Sequence, residues 1–310
     1  MDHIAGSGEY NRAAIILAGG EGTRLSDLTR KMAGFPVPKQ FCALLGETPL
    51  LEETRRRVAR SVPPDHTVFA LNHDHEGFFA PLLAGVPARN LVVQPGNRGT
   101  APAILYSLLR LAEVAPGAAA LLTPSDHHVG DEAALTKYVE LAFATVEERP
   151  ELTVLLGVTP DEPETSYGWI ERGPALSVGH GVVFQVRRFW EKPAREIARE
   201  LMANGCLWNS FMIVGRVSTL LSLFIVGLRE LYVMFSKVRP CLGTVFEEET
   251  IRRLYSHLRP SDFSRHVLES ATANLSVLPV SNVGWSDLGE PNRVAKVLAS
   301  LGIRQKWAAA

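Results

Sequence analysis

The chain has 310 residues, 46% of them hydrophobic and 21% charged, and its formal net charge is -1. That much apolar material supports a full buried core, in one large or two modest domains. A charge balance so near zero offers no basic excess for nucleic acid or an anionic membrane, so neither is an expected partner.

Taken in chain order, residues 1–12 read as an N-terminal extension ahead of the first strand, AAIILA at 13–18. Further strands are expected at TVFAL (67–71), NLVVQ (90–94), AAALLTP (118–124) and LTVLLGV (152–158), each nearly continuous in apolar residues. Such runs suit parallel strands buried on both faces. Between the third and fourth, Ile104, Leu105, Leu108, Leu111 and Ala112 share a helical face, opened by Thr100 as a cap with Pro102 in the first turn. This βαβ rhythm predicts an α/β fold with a mostly parallel sheet and helices on both faces. After residue 160 the rhythm loosens into YGWIERG and VVFQVRRFW, expected to be antiparallel, and a helix over 194–204. Residues 216–270 read as largely helical, with Val217 to Leu228 too short to span a bilayer and so expected to be a buried helix. A strand at NLSVLPV (274–280), a helix after Pro291 and a tail over 301–310 complete the chain. Without repeats or a Ser/Gly linker, one domain over 13–300 is expected.

Cys42, Cys206 and Cys241 are odd in number and form no C-x-x-C pair. They argue against a disulfide framework or a Cys-rich zinc site and fit a reducing cytoplasm. The opening MDHIAGSGEYNR lacks the basic and apolar regions of a signal peptide. His73, His75, His127 and His128 have no helical i, i+4 spacing and no cysteine partner, so they read as surface or satisfied histidines rather than zinc ligands.

The stretch LAGGEGTRL (17–25) sits in the first βα turn, where parallel sheets bring backbone N–H groups to a phosphate. It is not a Walker A loop, and Leu25 stands where a dinucleotide fingerprint needs its third glycine. A plain tight turn needs one glycine; Gly19, Gly20 and Gly22 followed by Arg24 exceed that. With Pro38-Lys39-Gln40-Phe41 the stretch resembles the signature of sugar-1-phosphate nucleotidyltransferases, and PKQF is similar to the mannose-1-phosphate guanylyltransferase wording. Matches continue in order: Gln94-Pro95 with Arg98 and Thr100-Ala101-Pro102-Ala103; Pro124-Ser125-Asp126-His127; Pro163-Glu164-Thr165 with Tyr167-Gly168; Glu191-Lys192-Pro193; Trp208-Asn209-Ser210; and Gly284-Trp285-Ser286-Asp287.

The resemblance implies a glycosyltransferase-A-like (Rossmann-like) fold with a nucleotide part over about 13–160 and a sugar-binding and helical part over about 161–300. It implies nucleotidyl transfer from a nucleoside triphosphate, GTP foremost, to a sugar 1-phosphate, mannose 1-phosphate foremost, in a cytoplasmic enzyme that can form a homodimer. The attacking phosphate is already an anion, so the demand falls on cations that bring two polyanions together. On that resemblance Arg24 and Lys39 are the catalytic cations, and Leu17, Ala18, Gly19, Gly20, Gly22, Thr23, Gln94, Arg98 and Thr100 bind the nucleotide. Gly168, Glu191, Lys192 and Asn209 bind the sugar phosphate, and Asp126 and Asp287 hold Mg²⁺. From spacing alone either aspartate reads as a helix N-cap. Other readings are a different sugar or cyclitol phosphate with a different base, or a catalytically silent homologue that binds the NDP-sugar and regulates a partner. The chain departs from the family at Ser26-Asp27, where Trp-Pro is usual, in a longer stretch from Arg24 to Lys39, at Gly99 and at Phe211.

Overall fold

The first half of the sequence alternates strands buried on both faces with helices that supply the covering. The structure is a computed structural model that describes residues 12–179 and 181–303. The predicted extension lies outside the described residues apart from Arg12, and the predicted tail apart from Leu301, Gly302 and Ile303. In order run β1 (Arg12–Leu17), α1 (Ser26–Ala33), α2 (Leu50–Val58), β2 (Thr67–Asn72), α3 (Glu76–Leu82), β3 (Leu91–Gln94), α4 (Thr100–Val114), β4 (Ala119–Pro124), α5 (Glu132–Glu148) and β5 (Thr153–Val158). The pleat sends Ala14 and Ile16 of β1 into one core and Ala13 and Ile15 into the other, all fully buried. β3, β2, β1 and β4 pair in parallel in that order, as the βαβ rhythm requires.

The second half completes one nine-stranded sheet of order β3-β2-β1-β4-β8-β5-β9-β7-β6. Its elements are β6 (Gly168–Val178), β7 (Gly181–Glu191), α6 (Arg195–Ala203), β8 (Leu207–Arg216), α7 (Val217–Gly227), α8 (Arg229–Val238), α9 (Glu247–His257), β9 (Leu275–Val280) and α10 (Pro291–Ser300). β6 and β7 pair antiparallel as expected. β8 has no counterpart in the sequence reading; it runs antiparallel between β4 and β5 and joins the two halves. Two further expectations are corrected. α7 buries Val217, Leu220, Leu223 and Phe224 but leaves Ile225 and Val226 exposed, so it is covered on one side only. Thr100 is not the cap of α4: Gly99 holds that position, and the Thr100 hydroxyl turns to Asp262 and to the Phe263 N–H. Among the described residues no helix is long and apolar enough to cross a membrane, and the three cysteines are free thiols.

Candidate active site

Because β1 to β4 are parallel, their carboxyl ends lie along one edge, and the loops leaving them open a cavity of about 420 Å³. Leu17, Gly19 and Gly20 line it after β1, Gln94 at the end of β3, Thr100 at the start of α4, and Asp126 after β4. Gly168, Glu191, Lys192 and Asn209 line it from the β6, β7 and β8 side, and Arg24 and Asp287 also reach its wall. Ala18, Gly22, Thr23, Lys39 and Arg98 do not.

The glycine turn is held from behind. Gln40 Nε2 donates to the carbonyls of Ala18 (3.0 Å) and Gly20 (2.7 Å), and Ser125 donates from both its N–H and its hydroxyl to the Leu17 carbonyl. Gly22 closes the turn with φ 62, in the left-handed region that glycine enters without penalty. Gln94, though on the wall, spends its amide on the Leu71 carbonyl and the Tyr255 hydroxyl. Arg98, off the cavity wall, donates its guanidinium to the Tyr255 and Asn97 carbonyls.

Asp126 and Asp287 are far apart in sequence and follow strands that are not neighbours, yet two reciprocal backbone bonds between His128 and Ser286 (2.9 and 3.0 Å) draw their loops together. Neither aspartate caps a helix: Asp131 caps α5 and Glu290 precedes α10. Lys39 is buried beneath them, its ammonium 3.0 Å from Asp126 Oδ2 and 2.5 Å from the Asp287 carbonyl oxygen. Burial raises the Asp126 pKa, and the Lys39 charge and hydrogen bond together with His127 more than offset it, so the carboxyl stays below the ordinary range.

Asp287 is clamped on one side. Its Oδ1 accepts from the Tyr167 hydroxyl (2.8 Å), the Gly289 N–H (2.8 Å) and Arg293 Nη1 (2.6 Å). Among the described residues its Oδ2 accepts no hydrogen bond, and Arg24 stands 3.8 Å from it. Burial pushes this carboxyl up, and His127, Arg293 and Tyr167 together pull it below its usual value. Arg293 is itself buried, paired with Glu164, bonded to Ser166 (3.1 Å) and stacked over the Tyr167 ring at 4.4 Å. The sequence reading passed over Arg293; its one signal is a basic residue in the first turn after Pro291, close behind Asp287.

His127, set aside in the sequence as a surface or satisfied residue, lines the cavity and packs edge-on against Trp285. Burial lowers its pKa to about 4, so it is neutral at pH 7. Among the described residues no cluster of three or more His, Cys, Asp or Glu could hold a metal. The two aspartates offer a cation carboxylate oxygens, of which Asp287 Oδ2 has no hydrogen bond among the described residues. That donor set fits Mg²⁺, which takes one or two carboxylates and completes its shell with substrate oxygens and water.

At the other end Lys192 pairs with Glu191 (3.2 Å) and donates its backbone N–H to the Tyr167 carbonyl. Burial, with Asp262 nearby, pushes the Glu191 pKa up. Gly168 is needed for closeness: a Cβ there would lie 2.8 Å from the Phe189 ring and 3.0 Å from Glu191 Oε2.

A glycine turn after the first strand, a cavity at the carboxyl edge, and cations and carboxylates on its walls are the arrangement by which α/β folds receive phosphate-bearing ligands. The chain belongs to the nucleotidyl transferase family, which it matches over residues 13–301. It is 34% identical over 289 residues to a xanthan biosynthesis protein XanB of Xanthomonas campestris, covering 89% of this chain and 57% of that one. It is 31% identical over 280 residues to the mannose-1-phosphate guanylyltransferase RfbM of Salmonella typhimurium, covering 89% and 56%. The chain thus spans little more than half the length of these relatives. A crystal structure from Thermus thermophilus, described as a mannose-1-phosphate geranyltransferase, superposes with a TM-score of 0.75 at 29% identity, covering 90% of this chain and 76% of that one.

Proposed function

We propose that this chain transfers a nucleotidyl group from a nucleoside triphosphate to a sugar 1-phosphate, and more finely that it makes GDP-mannose from GTP and mannose 1-phosphate. The observation that carries the reading is the single cavity joining the glycine turn and Arg24 at one end to Glu191, Lys192 and Asn209 at the other, with Asp126 and Asp287 on its wall. The finer choice draws on relatives named mannose-1-phosphate guanylyltransferase. Residues 13–300 then act as one catalytic domain, 13–160 taking the nucleotide and 161–300 the sugar phosphate.

In this reading an oxygen of the sugar phosphate attacks the α-phosphorus, the bond from that phosphorus to the bridging oxygen breaks, and pyrophosphate leaves. No proton has to be removed from the nucleophile, so no general base is required. The N–H groups of the glycine turn and the Arg24 guanidinium hold the triphosphate and the charge that develops on it. Lys39 fixes Asp126 and the Asp287 turn relative to each other. Arg293 and Tyr167 orient Asp287, and Lys192 holds the sugar phosphate. Asp126 and Asp287 would hold Mg²⁺, which supplies Lewis-acid stabilisation of the phosphates.

A pyrophosphate-release screen of the common nucleoside triphosphates against a panel of sugar 1-phosphates tests the reading. GTP with mannose 1-phosphate is expected to be the fastest pair; a faster different pair revises the base or the sugar. No turnover with any pair favours a silent NDP-sugar-binding homologue.

Asn209→Ala separates the two ends of the cavity. It is expected to raise the Michaelis constant for the sugar phosphate by about tenfold or more, because a hydroxyl loses its partner, while that for the nucleotide changes little. Steady-state kinetics with each substrate varied in turn checks this, and a rise confined to the nucleotide removes Asn209 from the sugar end.

A further inference from the structure

At the sugar end of the cavity one wall is a phenyl ring held in an unfavourable backbone conformation. In the pairing of β5 with β8, Leu155 faces Ile213 and Gly157 faces Asn209, so Ser210, Phe211 and Met212 bulge opposite Leu156 alone. The bulge is built to stay: the Ser210 hydroxyl donates to the Leu156 carbonyl (2.6 Å) and accepts from the Met212 N–H (3.2 Å). Phe211 at its apex has φ 61, a left-handed conformation that costs a residue with a Cβ about 1–2 kcal/mol. Its ring lines the cavity and rests on the fully buried Phe263, 6.1 Å away between centroids. Strain of this kind at a cavity wall points to a use for the side chain it displays.

The polar atoms beside the ring are largely spoken for. Asn209 Oδ1 accepts the Phe211 N–H (3.1 Å), Asp262 accepts from Thr100 and from the Arg265 N–H, and Glu191 Oε1 pairs with Lys192. Among the described residues, Asn209 Nδ2, Glu191 Oε2 and the Ser264 hydroxyl are left to read sugar hydroxyls, while the phenyl wall offers only C–H surface.

We infer that Phe211 is a specificity-determining residue that leaves one sugar position unread, so that the substrate class includes sugar 1-phosphates deoxygenated at the carbon facing the ring. The inference rests on the sugar-1-phosphate reading of the cavity. An aromatic wall gains by packing on C–H surface and gives a hydroxyl no partner, whereas positions facing Glu191 and Asn209 leave buried polar groups unpaired when their hydroxyl is removed.

The test is a deoxy scan on the intact chain: kcat/KM for mannose 1-phosphate, or for whichever sugar 1-phosphate the screen finds fastest, against its mono-deoxy analogue at each hydroxyl carbon. One analogue is expected to stay within about threefold of the parent while others fall about 10²-fold or more. Phe211→Asn, chosen because asparagine enters the left-handed region readily, is expected to cost the tolerated analogue about tenfold relative to the parent by giving that hydroxyl a partner. Uniform loss across all analogues with the wild-type chain overturns the inference, and so does an unchanged ratio in a folded Phe211→Asn variant. The wild-type scan stands alone if that variant does not fold. Failure to turn over any sugar 1-phosphate is a different result, which removes the reading of the cavity and this inference with it.

Discussion

Replacing Lys39 by alanine is expected to lower turnover roughly 10²- to 10³-fold, the scale for losing one preorganised electrostatic group, and to weaken the fold as well. The sequence alone treats Lys39 and Arg24 alike, as the two catalytic cations. The structure separates them. Lys39 is buried, and its ammonium satisfies Asp126 and the Asp287 carbonyl, so its removal strands polar atoms at a cost of about 1–3 kcal/mol. The Arg24 side chain is 56% exposed with one distant carboxylate at 3.8 Å, so Arg24→Ala is expected to lose a similar factor in turnover while its stability stays within about 0.5 kcal/mol of wild type. Steady-state rates beside thermal unfolding of the two variants check both statements. A folded Arg24→Ala chain with near-normal turnover removes the arginine from the mechanism, and a Lys39→Ala chain as stable as wild type removes the buried tie.

The difference between Lys39 and Arg24 illustrates what periodicity and motif reading can deliver. β1 to β5 were legible because strands buried on both faces must be apolar at nearly every position, and the glycine turn was legible because bare backbone followed by arginine is rare outside a ligand site. β8 escaped because LWNSFMIVGR carries Asn209 and Ser210 in the middle of its apolar run. Ser210 belongs to a bulge that Asn209 flanks, and its three-against-one register exists only once β5 lies beside it. The convergence of Asp126 with Asp287 had no local signal either, because it depends on His128 pairing with Ser286 across strands that are not neighbours. Arg293 reads as an ordinary basic residue of an amphipathic helix until Glu164 and Tyr167, from another part of the chain, fold over it. Arg98 is the opposite case: a motif position that does not line the cavity and whose guanidinium is spent on backbone carbonyls.

Asp126→Asn and Asp287→Asn are each expected to need more Mg²⁺ for half-maximal rate and to turn over slowly, because the change keeps the size of the side chain and removes its negative charge. If the two carboxylates serve one ion, the double variant should cost clearly less than the product of the single losses, since groups acting as a unit are not additive. Helix capping is no longer the competing explanation, as neither residue caps a helix. The competitor is a purely structural role, with Asp126 as the partner of Lys39 and Asp287 as the partner of Arg293 and Tyr167. That role predicts a stability loss of about 1–3 kcal/mol with an unchanged Mg²⁺ dependence, and additive losses for two sites with separate partners. Asp287 can carry both roles at once because they use different oxygens: Oδ1 is taken up by Tyr167, Gly289 and Arg293, while among the described residues Oδ2 has no hydrogen bond. Asp287→Asn is therefore expected to lose stability and metal affinity together, and Arg293→Lys, which keeps the charge and loses the planar fork, to shift the Mg²⁺ requirement less than Asp287→Asn does. Mg²⁺ titrations of rate, read beside thermal unfolding for the singles, the double and Arg293→Lys, separate these outcomes. A wild-type Mg²⁺ response in Asp287→Asn would sink the shared-ion assignment and leave the carboxylate as the structural anchor of Arg293.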